Sequence, residues 1–185
     1  MQKRGIRIAA FDDGPFEKGS KNALVVGVVG RERLVEGILS FRVSTDGNDA
    51  TAKLLASLKR SRFLEQVKLI AINGITFAGL NVVDIVALSK KLRMPVLAIT
   101  RKKPHSTLLK NVIRKAGGSN ADRKIKIVDD IARSSNLSRT QGIYVQQTGT
   151  GSMLNKEMLE NALELLRLAH LIASGVVRGE SKGRM

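Results

Sequence analysis

Four aspartates near the start of the chain have the spacing to do chemistry. Asp12 and Asp13 end an apolar run, Ile6 to Phe11, and are followed by Gly14 and Pro15. Asp46 and Asp49 fall in STDGNDAT, which closes the third of three extended stretches. Carboxylates at the end of one strand and just beyond another are the oxygen donors that a hard divalent cation takes. Such an ion can activate water and neutralise a phosphate. Asp12 is expected to anchor that site. Asp and Gly are also the usual turn residues, so Asp12-Asp13-Gly14 and Asp46-Gly47 have a plain structural reading as well.

The elements that must position these acids follow from the apolar pattern. Ile6–Phe11, Ala23–Val29 and Leu34–Val43 read as strands, the second and third joined by a short polar turn into a hairpin. A helix is expected from about Ala50 to Arg62, with Leu54, Leu55 and Leu58 as its apolar stripe. Val67–Ile72 reads as a central strand ending at Asn73-Gly74, and Val82 to Leu92 as a helix in which the role of Asp84 stays open. Pro95 introduces a strand, Val96–Ile99, and His105–Ala116 reads as a helix stopped by Gly117-Gly118. Ile125–Val128 and Ile143–Val145 read as short strands, and Asn155 to Ala173 as the last helix.

Three hairpin-like strands followed by alternating helices and strands imply a mixed sheet with helices on its faces. The order matches a ribonuclease H-like three-layer α/β/α fold, with three antiparallel strands and then parallel ones. In that topology the first and fourth strands are neighbours, which brings Asp12 and Asn73 together.

Composition narrows the partners. The chain has 185 residues, 43% of them hydrophobic, and one domain over 1–185 is expected. Lys and Arg number 32 against 16 acids, a formal net charge of +16, which is the electrostatic footprint of a protein that meets phosphates. Nucleic acid is the first expected partner and an anionic membrane surface the second. Aromatics are only 3%, which argues against extended base-stacking platforms. The chain contains no cysteine, so neither disulfides nor zinc-thiolate sites arise. No apolar run reaches the roughly 20 residues of a membrane span, and MQKRGIRI does not read as a signal peptide. A cytoplasmic protein is expected.

The whole chain resembles an archaeal protein family related to endonuclease V, through FDDGPF, STDGNDAT, NGITFAGLNVVDI and LRLAHLIASGVVRGESKGR. The resemblance to endonuclease V itself implies roles for four positions. Asp12 in IAAFDD matches the metal-binding aspartate that ends the first strand. Asn73 in AINGIT stands where endonuclease V has a second acid. Arg101, after Pro95-Val96-Leu97-Ala98-Ile99-Thr100, stands for a lysine. Arg167, Ala169 and His170 keep the spacing of Pro-Glu-Pro-x-Arg-x-Ala-His. The strand-separating wedge of endonuclease V is absent, with Ser44 to Thr51 in its place.

What the resemblance implies is a Mg²⁺- or Mn²⁺-dependent endonuclease acting on DNA ahead of RNA, with deoxyuridine or deoxyinosine as deaminated targets. Asp12, Asp46 and Asn73 would hold the ion, Asp46 supplying the acid that Asn73 does not, with Asp13 and Asp49 as second choices. His170 would ligate the ion or carry a proton to the leaving oxygen, unless it is a packed structural residue. Arg101 would stabilise charge on the phosphate, and Lys102, Lys103, Arg114 and Lys115 would form a backbone-binding face. Thr148–Ser152 reads as a loop that could also cradle a phosphate, although it is not a P-loop. Two other readings remain: a non-catalytic nucleic-acid-binding protein with a decayed metal site, and a basic structural protein.

Overall fold

A computed structural model of the chain describes residues 5–32, 34–149 and 154–182. Its first three strands are β1 (Arg7–Asp13), β2 (Asn22–Arg31) and β3 (Leu34–Ser44), built from runs rich in β-branched residues. They pair antiparallel, with Asp12 opposite Val26 and Val25 opposite Phe41. Helix α1 (Ala50–Arg60) follows, then β4 (Val67–Asn73), a small hairpin of β5 (Thr76–Phe77) and β6 (Asn81–Val82), α2 (Ile85–Leu92) and β7 (Val96–Thr100). The chain continues through α3 (Ser106–Ala116), α4 (Ala121–Ser134), a second hairpin of β8 (Asn136–Thr140) and β9 (Ile143–Thr148), and α5 (Lys156–Arg178).

Seven strands form one sheet in the order β3-β2-β1-β4-β7-β9-β8. β1, β4 and β7 run parallel at its centre, and the outer strands are antiparallel. Alternate residues of the central strands feed two separate cores. Ile8, Ala10, Leu69 and Ala71 pack under Leu159, Leu165 and Leu166 of α5. Ala9, Phe11, Ile70 and Ile72 pack under Leu54 and Leu58 of α1 and Ile85 and Leu88 of α2. α3 and α4 lie together beside the β5–β6 hairpin, joined through Val82, Ile113 and Val128. This is the ribonuclease H-like three-layer architecture, with a mixed sheet.

Two elements differ from the expectation. Ile125–Val128 lies inside α4, not in a strand, because Lys124, Val128 and Ile131 recur at helical spacing and are all buried. Val82 belongs to β6, and the following helix starts only at Ile85 because Asp84 caps it, its side chain accepting from the Ala87 N–H at 2.8 Å. β8 is an edge strand of polar, mostly exposed residues, which carries no apolar alternation to announce it. Among the described residues no helix is long and apolar enough to cross a membrane.

Candidate active site

The parallel pairing of β1 with β4 runs to Phe11 opposite Ile72, so the next residues, Asp12 and Asn73, emerge side by side at the carboxyl edge of the sheet. Pairing alternates the faces, and both side chains point to the side covered by α5. The small residues Ala162, Ala169 and Ala173 are fully buried, which lets α5 lie close over β1 and β2. That approach places His170, the residue after Ala169, against the end of β1.

Asp12 is the centre of the cluster. It is 1% exposed. Its Oδ1 accepts from Asn73 Nδ2 at 3.1 Å and from the Asp13 N–H at 3.0 Å, and its Oδ2 lies 3.0 Å from His170 Nδ1. Burial pushes its carboxyl up, the neighbouring Asp13 charge adds to that, and Asn73 and His170 pull the other way, leaving it at about 6. With Nδ1 committed to Asp12, Nε2 is the ring nitrogen of the half-buried His170 left to exchange a proton.

Asp13 points to the opposite face, where its Oδ2 accepts from the Ala78 N–H at 2.8 Å. Burial raises its carboxyl too, against that hydrogen bond.

The other two expected acids are engaged elsewhere. Asp46 Oδ1 accepts from the Leu80 N–H at 2.8 Å, and the Asp46 N–H donates to the Ala78 carbonyl at 2.9 Å. Asp13 and Asp46 therefore hold the same β5–β6 turn from two sides. Asp49 accepts from the Ser44 N–H and hydroxyl, from Asn81 Nδ2 at 2.7 Å and from Lys53 Nζ at 2.8 Å. Burial acts to raise its carboxyl, but these donors outweigh it and bring it down to about 2. Among the described residues no hydrogen bond or ion pair links Asp46 or Asp49 to Asp12, and no three His, Cys, Asp or Glu side chains converge as a metal cluster. Donors from the β5–β6 hairpin, Ser44 and Lys53 engage these two carboxylates instead.

The donor set at this edge is thus one carboxylate and one amide, with the His170 imidazole bonded to the carboxylate. It fits a single divalent ion that keeps several of its waters, as Mg²⁺ does, once the exposed Asn73 amide turns its oxygen inward. It does not fit a cage of carboxylates.

Arg101, Lys102 and Lys103 leave β7 at this edge of the sheet. Arg101 directly follows β7 and is exposed, as are Lys102 and Lys103. Arg114 donates to Asn111 at 3.0 Å, and Lys115 is exposed in the last turn of α3. Arg167 forms a two-point pair with Glu164 on the outer side of α5. Of the loop at Thr148–Ser152, residues 150–152 lie outside the described residues.

Two residues that sequence reasoning missed shape the neighbourhood. Asn81 is fully buried, donates to the Ser44 carbonyl at 2.8 Å and to Asp49, and accepts from the Ala50 N–H at 3.0 Å. Lys124, buried on α4, donates to the Asp46 carbonyl at 2.6 Å, and that burial lowers its ammonium from the usual lysine range. Neither has a local signature, since each is defined by what folds against it. A cavity of about 320 Å³ opens beside Gly74, the residue after Asn73, with Thr76, Thr100, His105 and Gln146 among its polar lining. A larger concavity, about 530 Å³, lies at the far end of α5 and is rimmed by Glu32, Glu157, Glu160 and Glu164.

Comparison with known proteins gives one consistent picture. A family profile described as Endonuclease dU matches residues 4–177. A UPF0215 protein of Thermococcus sibiricus is 37% identical, the match covering 97% of this chain and 96% of that protein. A crystal structure of a protein of unknown function from Archaeoglobus fulgidus is 32% identical and superposes with a TM-score of 0.82, covering 94% of this chain and 99% of that one. Human endonuclease V, at 14% identity and a TM-score of 0.54 over 95% of this chain and 85% of its own, shares the fold.

Proposed function

This chain belongs to the endonuclease dU family, and we propose that it is a divalent-metal-dependent endonuclease acting on DNA, with deaminated bases such as deoxyuridine or deoxyinosine as its targets. The observation that carries this reading is the buried Asp12 carboxylate, shared between Asn73 and His170 at the edge where β1 and β4 end. Asp12 and the Asn73 amide oxygen would hold Mg²⁺ or Mn²⁺. When bound, the ion would supply charge neutralisation on the phosphate and ease the ionisation of an attacking water.

The chain's own groups do the rest. Asp12, through Oδ2, fixes the tautomer and angle of the imidazole, so that His170 Nε2 can protonate the leaving oxygen. Arg101 lies beside the scissile phosphate and offsets the charge that develops there. Lys102, Lys103, Arg114 and Lys115 hold flanking phosphates without reading sequence. The 320 Å³ cavity beside Gly74 falls within the size range of small-ligand sites and offers room for an extruded base. The acidic concavity at the other end of α5 repels phosphate and belongs to no part of this path.

One observation favours a second reading. Asn73 is neutral, so the ion loses a charge, and a binding protein without catalysis would carry that change.

Duplexes containing uracil, hypoxanthine or normal bases, incubated with Mg²⁺ or Mn²⁺, separate the two. Metal-dependent nicking that falls at least a hundredfold in Asp12→Ala supports the enzyme. Nicking that survives that substitution marks a contaminant and removes the assignment, whereas salt-sensitive binding without nicking leaves the second reading standing.

A further inference from the structure

The chain has six aromatic side chains, five Phe and one Tyr. Phe11 and Phe77 are fully buried. Phe41 packs on Phe11 with ring centroids 6.2 Å apart, Arg62 lies over Phe63, and Arg139 lies over Tyr144. Phe16 is the most exposed aromatic side chain among the described residues, at 38%, while Phe41, Phe63 and Tyr144 are half-buried. A single exposed apolar side chain is ordinary by itself. Its position is what gives it meaning.

Phe16 comes four residues after Asp12, in the β1–β2 connection at the same edge of the sheet. That connection does not swing free. The Gly14 N–H donates to the Leu24 carbonyl at 2.7 Å, and a Cβ on Gly14 would stand 3.1 Å from the Ala173 carbonyl oxygen and 3.3 Å from Val177. Pro15 then fixes the next backbone angle. The segment therefore runs against the end of α5, where Val176 is 68% and Val177 44% exposed. Val177 is two helical turns, about 10 Å, beyond His170. Lys18 and Lys21 are exposed on the same connection and Arg178 beside Val177, as are the acids Glu17 and Glu180. An exposed ring with more cations than acids near it in the chain, on the connection that leaves Asp12, offers a face to a nucleobase and its phosphate.

We propose that Phe16 is a stacking contact for a nucleobase adjacent to the cleavage point, flanked by Val176 and Val177. This rests on the nucleic-acid reading of the same site. Stacking asks only for a π face, so the contact holds unpaired bases regardless of sequence. Lys18, Lys21 and Arg178 would meet the flanking phosphates, against the opposing charges of Glu17 and Glu180.

The chain contains no tryptophan, so Phe16→Trp in the full-length protein makes a single-indole reporter. Titrated in EDTA with a single-stranded oligonucleotide, its emission falls by half or more, in step with the anisotropy of a labelled strand. A Phe63→Trp control, with its indole away from this edge, stays unquenched. Phe16→Ala weakens single-strand binding about tenfold, the loss expected for one stacked base. Binding by anisotropy with unchanged Phe16→Trp emission would overturn the proposal and leave the nuclease reading intact. Quenching without nicking under any divalent ion would keep the stacking contact and remove the nuclease. Absence of binding at low salt overturns both, and quenching by phosphatidylserine vesicles but not by oligonucleotides turns the spot into a lipid contact and overturns the proposal.

Discussion

Keeping a carboxylate ionised at 1% exposure requires donors, and Asp12 has an amide, a backbone N–H and an imidazole at 3.0–3.1 Å. Asn73→Asp exchanges one of those donors for a like charge. In EDTA this variant should melt below the parent protein, and in Mn²⁺ it should bind the ion more tightly, since a second carboxylate now faces it. Differential scanning fluorimetry and Mn²⁺ electron paramagnetic resonance read the two effects separately. Equal Mn²⁺ affinity in both proteins would mean that Asn73 does not face the ion.

Asp49 allows a cleaner acid test. Its carboxyl sits at about 2 when folded and near 3.9 when unfolded. The unfolded state binds the proton first, so the stabilisation is complete above pH ~4 and disappears as pH falls through about 2. With the side chain 25% exposed, the shift corresponds to about 2 kcal/mol at neutral pH. Asp49→Asn should be less stable by up to that amount in urea at pH 7, and the two proteins should converge near pH 2.

At the level of elements, β1 and β2 depend on a close fit. Phe11 pairs with Gly27 across the ladder, and a Cβ on Gly27 would fall 2.2 Å from the Phe11 ring, so the ring lies over the glycine. Gly27→Ala should cost about 1–3 kcal/mol by overpacking and lower the melting temperature, while metal binding at Asp12 weakens with the displaced strand. An unchanged melting curve would contradict the packing.

The same elements show what could be read ahead of the structure. β1, β2, β3, β4 and β7 were legible because apolar runs are bounded at one end by Gly, Pro or Asp, and the adjacency of Asp12 and Asn73 followed from their order. The placement of His170 beside Asp12 came with the helical stripe of α5 and the family resemblance. Asp46 and Asp49 could not be separated from ligands, because an acid that accepts backbone N–H groups in a turn has the same local sequence as one that awaits a cation. The helical nature of Ile125–Val128 was hidden for a related reason: its burial is set by α3 and β6, not by its β-branched composition.

Across the whole molecule the charge is uneven. The net +16 includes a cluster of four glutamates around one concavity, while Lys59, Lys68, Lys91 and Arg93 line another. Duplex affinity should fall linearly with the logarithm of salt, and each phosphate contact removed from Lys102, Lys103, Arg114 or Lys115 should reduce the slope by about 0.9. Neutralising Glu32 and Glu157 should leave that slope unchanged. Fluorescence anisotropy over a salt series measures both.

Asp12 and His170 are separated by 158 positions, and the helix that carries His170 also covers one face of β1, β2 and β4. A ribosome delivers β1 long before α5. Until that last helix docks, the growing polypeptide has an open greasy sheet and a lone acid, with nothing to orient a proton donor. The Asp12–His170 pair thus forms only once α5 has docked, and a product lacking α5 would lose both that pair and the cover over β1 and β2.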